Sequence, residues 1–255
     1  MEETSRPAPR VSPLSRIRRQ LAAQVPQKVL RDIGNRLRFG PDAPQSDELL
    51  FVDPRAIRFY YRHDPAAGAP NFRRRQSGKV VPGDWDLSRV PVETNHKLQS
   101  CRMHFEQGLP WDETPLIHKQ RRQIAAGEIP DECRTEEDIR ARYAELDRLF
   151  ELARRTGRLS PRRELQDYFR REHGGILVHV ARDGTLLRAG GGAHRFAIAW
   201  ILHLPEIPVQ LGVIHPEAVR DRLHLALRRP VAERSTAPGR TGMPSPVRDL
   251  AAPRP

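Results

Sequence analysis

The chain has 255 residues, of which 38% are hydrophobic and 6% aromatic, so it can form a modest core with a large polar periphery. No apolar run approaches the roughly 20 residues that cross a bilayer, and the N-terminus lacks the apolar stretch of a secretory signal. Two cysteines do not make a disulfide framework, so we expect a cytoplasmic protein without a membrane span.

The net charge of +12 is concentrated at the two ends of the chain. Residues 1–40 contribute +6 and residues 216–255 contribute +4, which leaves little for the centre. Basic ends are typical of arms that bind DNA, RNA or anionic lipid. They are equally typical of solubilising tails, and composition alone leaves both interpretations open.

The N-terminal part is predicted to be disordered over 1–12 and to form a basic helical extension over 13–47. Apolar residues recur at three- to four-residue spacing over 13–38, which indicates an amphipathic helix that Pro26 interrupts. The stretch "ELLFVDPRAIRFYY" (48–61) predicts a short strand that ends at Asp53-Pro54, followed by a turn. Residues 62–86 form a long loop, and loops of this length are uncommon unless they are functional or mobile.

The clearest helix is predicted over 136–156. Thr135 suits the N-cap, and Asp138 stands three residues on in a capping-box position. Gly157 suits the position after the last helical residue. A second helix is predicted after Pro161, reaching Phe169.

The C-terminal half has the pattern strand, turn, strand, glycine loop, helix, strand. The segments are "ILVHV" (176–180), the turn "RDG" (182–184), "TLLRA" (185–189), a helix over about 193–203 and "IPVQLGVI" (207–214). We therefore expect an α/β (α+β) fold, a single domain over 48–215 with a small mixed β-sheet and helices, preceded by the helical segment. A short helix over 216–229 and a disordered tail over 230–255 complete the prediction.

The stretch "LLRAGGGAHRFAIAW" (186–200) places three glycines directly before a predicted helix. The first N–H groups of a helix lack intrahelical partners, and glycines let an anion approach that backbone closely. His194 and Arg195 fall in the first helical turn, where both can bind the same phosphate. A tight strand-to-helix turn with a solvated arginine is an equally good interpretation of the spacing alone.

The segment "GGILVHVARDGTLLRAGGGAHRFAIAWILHLPEIPVQLGVI" (174–214) resembles the ParB/sulfiredoxin-like superfamily, in particular the ParB N-terminal-like domain. Its "GGAHRFAIAW" is similar to the Gly-Gly-Cys-His-Arg element of sulfiredoxins and the Gly-x-x-Arg element of ParB proteins. The resemblance implies a nucleotide-phosphate site. It assigns the phosphate contacts to Gly191, Gly192, Ala193, His194 and Arg195.

Three departures from the family patterns narrow the function that the resemblance implies. Ala193 occupies the position of the sulfiredoxin cysteine, which excludes sulfinic-acid reduction. Gly191 replaces the acidic residue of the free-serine kinases. About 40 residues follow the last predicted strand, and we expect no helix-turn-helix domain of the kind that partition proteins carry there.

The resemblance therefore implies a nucleotide-binding protein that takes ATP or CTP, with Mg²⁺ as the accompanying cation. A phosphotransferase and a nucleotide hydrolase both remain open, and so does a protein-interaction module that has lost its ligand. The alternative is a nucleic-acid-associated protein, either a ParB-like DNA-binding protein or a nuclease, that uses its basic termini. No metal-binding carboxylate cluster in the sequence supports cleavage.

Two further patterns are open to a functional interpretation. Cys101, His104, His118 and Cys133 resemble zinc ligands in type but not in spacing, and we expect buried cysteines and no metal site. The run Arg73-Arg74-Arg75 would steer a phosphate-bearing ligand only if its loop folds over the glycine turn. Acidic residues beside tryptophans, such as Asp84 and Asp86, can hold Mg²⁺ or cap a turn, and we favour the structural role.

Overall fold

The computed structural model describes residues 13–230 and residue 233, with the side chains of 13–16 excepted. The predicted disorder over 1–12 and over most of 230–255 lies outside these residues. Within them, no helix is long and apolar enough to span a membrane.

A six-stranded mixed sheet organises the fold. Its strands are β1 (Leu49–Val52), β2 (Phe59–Tyr61), β3 (Arg89–Pro91), β4 (Ile176–Val180), β5 (Leu186–Arg188) and β6 (Ile207–Ile214). They lie in the order β1-β6-β4-β5-β2-β3. The pairs β6/β4 and β5/β2 are parallel, and the other three are antiparallel. The predicted mixture of helices with a small mixed sheet is confirmed.

Seven α-helices surround this sheet in the described part of the chain. They are α1 (Pro13–Ala22), α2 (Val25–Phe39), α3 (His96–Phe105), α4 (Pro115–Ala125), α5 (Glu136–Thr156), α6 (Ala193–Ile201) and α7 (Pro216–Arg220). Every residue of β4 and β6 is buried, as expected for strands covered on both faces. The main core joins these strands to α3, α4, α5 and α6, and a smaller cluster around Tyr61, Trp85 and Leu187 packs separately.

The prediction for α5 is confirmed at both ends. The Thr135 hydroxyl accepts a hydrogen bond from the Asp138 N–H at 3.1 Å, and the Asp138 carboxylate accepts one from the Thr135 N–H at 3.0 Å. Gly157 follows the helix with φ of +66°, a left-handed conformation that glycine adopts without strain. The break between α1 and α2 falls at residues 23–24, and Pro26 lies in the first turn of α2.

The predicted helix after Pro161 is wrong. Only a short 3-10 turn forms there, over Arg162–Glu164. The Glu172 carboxylate accepts a hydrogen bond from the Arg162 N–H at 2.9 Å, and this folds the segment back on itself. Arg171 has φ of +40°, which a helix does not allow.

The strand predicted at the start of 48–61 is present as β1, but the sequence did not predict β2 or β3. The segment 62–86 is a long connection with short 3-10 turns and an isolated bridge between Asp64 and Ala69. This connection crosses one end of the sheet and reaches the glycine turn between β5 and α6.

Candidate phosphate-binding site

The turn between β5 and α6 requires glycine at two successive positions. Gly191 has φ of +96° and Gly192 has φ of +67°, both in the region that L side chains rarely adopt. A Cβ on Gly192 would lie 2.8 Å from the backbone Cα of Ile176 in β4. A Cβ on Gly191 would collide with Nη2 of Arg74. The turn therefore brings bare backbone against both the sheet and the arginine of another segment.

The five residues assigned to phosphate contacts do not converge on one point. The Arg195 guanidinium donates to the Ser160 carbonyl oxygen at 2.7 Å. His194 is 5% exposed and packs edge-on against Tyr143, with the ring centroids 5.7 Å apart. Burial is the main cause that lowers the pKa of His194 to about 3, so the ring is neutral at physiological pH. Of the five residues, Gly191 is the one that lines the adjoining pocket.

That pocket has a volume of about 600 Å³ and lies between the glycine turn and the 62–86 loop. The loop does fold over the turn, which is the arrangement under which the arginine run was expected to matter. The lining residues are Tyr60, Tyr61, His63, Asn71, Phe72, Arg73, Arg74, Arg75, Gly190 and Gly191.

Arg74 is held rigidly at the base of the pocket. One guanidinium nitrogen donates to the Gly175 carbonyl oxygen at 2.7 Å, and another donates to the Oε1 atom of Gln210. Burial, with the nearby charge of Arg188, lowers the pKa of Arg74 to about 10. The group therefore remains charged at neutral pH, and its position is fixed by neutral acceptors.

Arg188, the last residue of β5, supports the pocket from behind. It is 2% exposed, and its Nη2 donates to the Gly191 carbonyl oxygen at 2.8 Å. Its guanidinium lies 5.0 Å from the ring centre of Tyr60. Burial lowers its pKa, and its Nε has no hydrogen-bond partner among the described atoms. A buried guanidinium without a carboxylate partner is costly unless an anion approaches it.

The charge of this site is only partly compensated, because Asp47 and Glu172 act on Arg74 from outside the lining. No aspartate or glutamate is among the lining residues. In the described part of the chain, none of Arg73, Arg74, Arg75 and Arg188 forms an ion pair with a carboxylate. The pocket can therefore attract an anion but offers no carboxylate oxygen to Mg²⁺. A divalent cation does not fit the residues of this lining.

An aromatic wall faces the arginines. The rings of Tyr61 and Phe72 lie 5.5 Å apart and pack against Trp85 and the buried His179. The Tyr61 hydroxyl donates to the Pro70 carbonyl oxygen at 2.6 Å, and burial raises the pKa of this phenol to about 12. Tyr61, Trp85 and His179 are buried, so the half-buried rings of Phe72 and Tyr60 are the ones that can meet a flat ring in the pocket.

No family model, curated protein or solved structure matches the chain. The resemblance of residues 174–214 to the ParB/sulfiredoxin-like superfamily is therefore a proposal that rests on the residues alone.

The acidic residues beside Trp85 and the two cysteines occupy positions that stabilise the fold. Asp84 and Asp86 both pair with Arg182, at 2.6 Å and 2.8 Å. Cys101 and Cys133 are buried free thiols. Within residues 13–230, no group of three or more His, Cys, Asp or Glu side chains is placed to hold a metal ion.

Sequence reasoning missed Arg188, Tyr60 and the close approach of Arg74 to the glycine turn. A weak signal for Arg188 was present, because a charged residue ends the apolar run "TLLRA" (185–189) directly before the glycines. Nothing in the sequence links Arg74 to Gly191, since the contact joins segments more than a hundred residues apart.

Proposed function

We propose that the chain binds the phosphate groups of a nucleotide in the pocket between the glycine turn and the 62–86 loop. The observation that carries the proposal is the cluster of four arginines without carboxylate partners around the backbone of Gly190 and Gly191. Guanidinium groups bind phosphate oxygens in pairs, and a glycine backbone gives the anion close access.

Two features favour a nucleotide over a free phosphate ion. The pocket volume of about 600 Å³ is far larger than one phosphate needs. The half-buried rings of Tyr60 and Phe72 offer surfaces on which a base can stack. The resemblance to the ParB/sulfiredoxin-like superfamily supports the same ligand class and directs attention to ATP and CTP.

The geometry supports binding more strongly than catalysis. A general base must lie within hydrogen-bond reach of the group that it deprotonates, and no carboxylate lines the pocket. His63 is the one histidine among the lining residues, and its Nδ1 lies 2.8 Å from the Ala69 carbonyl oxygen, to which it can donate. That contact leaves Nε2 as the unprotonated nitrogen, so a phosphotransferase or hydrolase activity would need either this atom or a base from an acceptor or a partner.

Isothermal titration calorimetry with ATP, CTP, GTP, ADP and inorganic phosphate tests the proposal. Arg73 and Arg75 have exposed side chains, so the double variant Arg73→Ala/Arg75→Ala should fold normally. Each charge-assisted hydrogen bond to phosphate that is removed should weaken binding by about 1.5–3 kcal/mol, which is roughly 10- to 100-fold in Kd. Arg148→Ala on the exposed surface of α5 removes the same type of charge elsewhere and should leave Kd unchanged.

The glycine turn offers a second test. Gly191→Ala should displace Arg74 and weaken nucleotide binding, whereas Gly34→Ala on α2 meets open space outside the pocket lining and should bind like the wild type. The wild-type chain binding none of the nucleotides would contradict the proposal. Loss of binding in Arg195→Ala but not in Arg73→Ala/Arg75→Ala would move the phosphate to the start of α6 instead.

A further inference from the structure

The helix α2 is oriented with its polar residues inward. The residues of α2 that are fully buried are Lys28 and Asn35. The Lys28 ammonium donates to the Asp47 carboxylate at 2.8 Å, and the Asn35 amide donates to the carbonyl oxygens of Pro44 and Gly78, each at 2.8 Å. The helix is therefore anchored to the domain by hydrogen bonds and an ion pair along its length, with Phe39 at its end packed against the main core.

The outward face of α2 is apolar. Leu30, Ile33 and Leu37 recur at the spacing of one helix face, and they are 70%, 52% and 84% exposed. Val29 extends this face, and Ile17 and Leu21 are exposed on α1, which contacts α2. These six side chains are more than half of the large hydrophobic residues exposed in the described part of the chain. We call them the outer apolar face. Such a concentration marks an interaction surface.

The charges around the outer apolar face are almost entirely positive. Arg18, Arg36 and Arg38 are exposed on the two helices. The single acid of α1 and α2 is Asp32, which is turned inward and pairs with Arg170 at 3.3 Å and Arg171 at 2.9 Å. The surface therefore presents leucine and isoleucine side chains bordered by arginines, with no exposed acid on either helix.

The arginine border helps to decide which partner covers the outer apolar face. Two copies of the chain placed face to face would bring the arginine borders together, and like charges oppose that contact. Residues 1–12 provide Met1 and Val11 as their only large apolar side chains, and Arg6 and Arg10 balance the charge of Glu2 and Glu3. An anionic lipid surface is complementary in hydrophobicity and in charge. The apolar side chains can insert among the acyl chains, and the arginines can bind the headgroup phosphates.

We propose that the outer apolar face docks on an anionic membrane surface, with α1 and α2 lying parallel to it. The leucines enter the boundary between headgroups and acyl chains, and Arg36 and Arg38 contact lipid phosphates. This is a peripheral contact, and it is independent of ligand binding in the pocket. Because Arg31 of α2 donates to the backbone of Arg75 at 3.0 Å, docking also places the pocket loop close to the membrane.

Vesicle co-sedimentation of the full chain tests the proposal. The vesicles are pure phosphatidylcholine or an equimolar mixture of phosphatidylcholine and phosphatidylglycerol. The wild type should bind the anionic vesicles, and Leu30→Ser/Leu37→Ser should reduce the partition coefficient roughly tenfold or more. Arg36→Glu/Arg38→Glu should also reduce it, and added salt should weaken the wild-type interaction.

The matched control is Leu87→Ser/Leu152→Ser, which removes two exposed leucines outside the outer apolar face and should bind like the wild type. All replaced side chains are exposed, and equal thermal melting of the variants verifies folding. Failure of the wild type to bind anionic vesicles would overturn the proposal. Binding that depends on the arginines but not on Leu30 and Leu37 would also overturn it.

Two other occupants give distinct results. A concentration-dependent dimer in light scattering that Leu30→Ser/Leu37→Ser abolishes would identify a second copy of the chain. Binding to duplex DNA in preference to vesicles would identify a nucleic acid. Either result would overturn the assignment to lipid.

Discussion

His179 illustrates how burial alone sets the chemistry of a residue in this protein. Its ring is enclosed by Tyr61, Phe72 and Trp85 at centroid distances of 5.1, 5.5 and 6.0 Å. The Nδ1 atom accepts a hydrogen bond from the Val213 N–H at 3.1 Å, which fixes the neutral tautomer. Burial lowers the pKa of His179 to about 3 from an ordinary value of 6.5.

This pKa predicts a loss of stability in mild acid. Because the folded-state pKa lies below the unfolded-state value of 6.5, the unfolded chain binds more protons below that pH. The free energy of unfolding should fall by about 2 kcal/mol for this residue between pH 7 and pH 5. Urea denaturation at both pH values measures this fall. The free energy of unfolding of His179→Gln should fall by about 2 kcal/mol less than that of the wild type.

Burial also lowers the pKa of His194 and raises that of Glu172, so the difference between His179→Gln and the wild type, and not the total pH dependence, isolates His179. The buried carboxylates Asp47 and Asp131 have lowered pKa values, so their contributions are complete above about pH 4 and disappear only below it. The matched control is His118→Gln on the exposed surface of α4, which should keep the wild-type pH dependence. Equal pH dependence in His179→Gln and the wild type would show that folding does not lower the pKa of the buried ring.

In the candidate site, the sequence predicts the positions of the glycines but not the directions of the neighbouring side chains. The glycines at 191 and 192 were identifiable because a strand-to-helix turn with three glycines is a strong local pattern. The directions of His194 and Arg195 were not, since a helix start does not determine which side of the turn a side chain faces. The Ser160 carbonyl orients Arg195, and that contact depends on the return of a segment 35 residues earlier in the chain.

Among the helices and strands, the sequence predicted those that are long enough to show a clear hydrophobic pattern within one segment. The helix α5 and the succession β4, β5, α6 and β6 were predicted within a few residues. The strands β2 and β3 have three residues each, too few for a period of two to appear, and β3 includes Pro91. The segment after Pro161 has helical apolar spacing, but the Glu172 carboxylate binds the Arg162 N–H, and Arg170, just beyond the predicted helix, pairs with Asp32 and Asp47.

The capping box of α5 leads to a prediction about that element. Thr135→Ala removes the acceptor for the Asp138 N–H and should lower the free energy of unfolding by about 1 kcal/mol. Thr156, at the other end of α5, instead donates to the Leu152 carbonyl oxygen at 2.8 Å within the helix. Thr156→Ala should therefore be neutral or slightly stabilising. Urea denaturation of both variants compares the ends, and equal effects would contradict the assigned cap.

For the whole molecule, one buried polar network connects segments that are far apart in sequence. Asp47 accepts from Lys28 of α2 at 2.8 Å and from the Gln210 amide of β6 at 2.6 Å. Gln210 in turn accepts from Arg74, which forms the base of the pocket. The basic helical segment is therefore joined to the pocket through three side chains. No local pattern predicts such a network, because each member has its partner in another part of the chain.

This network predicts unequal effects for its two charged members. Asp47 has φ of +56°, which asparagine tolerates, so Asp47→Asn removes the charge without backbone strain. It leaves the Lys28 ammonium fully buried without a carboxylate, and the expected cost is about 3–5 kcal/mol. Lys28→Met should cost less, because Arg170 at 3.5 Å and His173 at 3.2 Å still face Asp47.

Thermal unfolding followed by circular dichroism measures both effects. Asp47→Asn should lower Tm by roughly 6–20 °C. The double variant Lys28→Met/Asp47→Asn should recover part of that loss, because it removes the uncompensated ammonium. A double variant no more stable than Asp47→Asn would show that the loss comes from the contacts of the carboxylate with Gln210, Arg170 and His173, and not from an uncompensated Lys28 ammonium. In that case Lys28→Met alone should leave Tm nearly unchanged, since Gln210 and His173 would still bind the carboxylate.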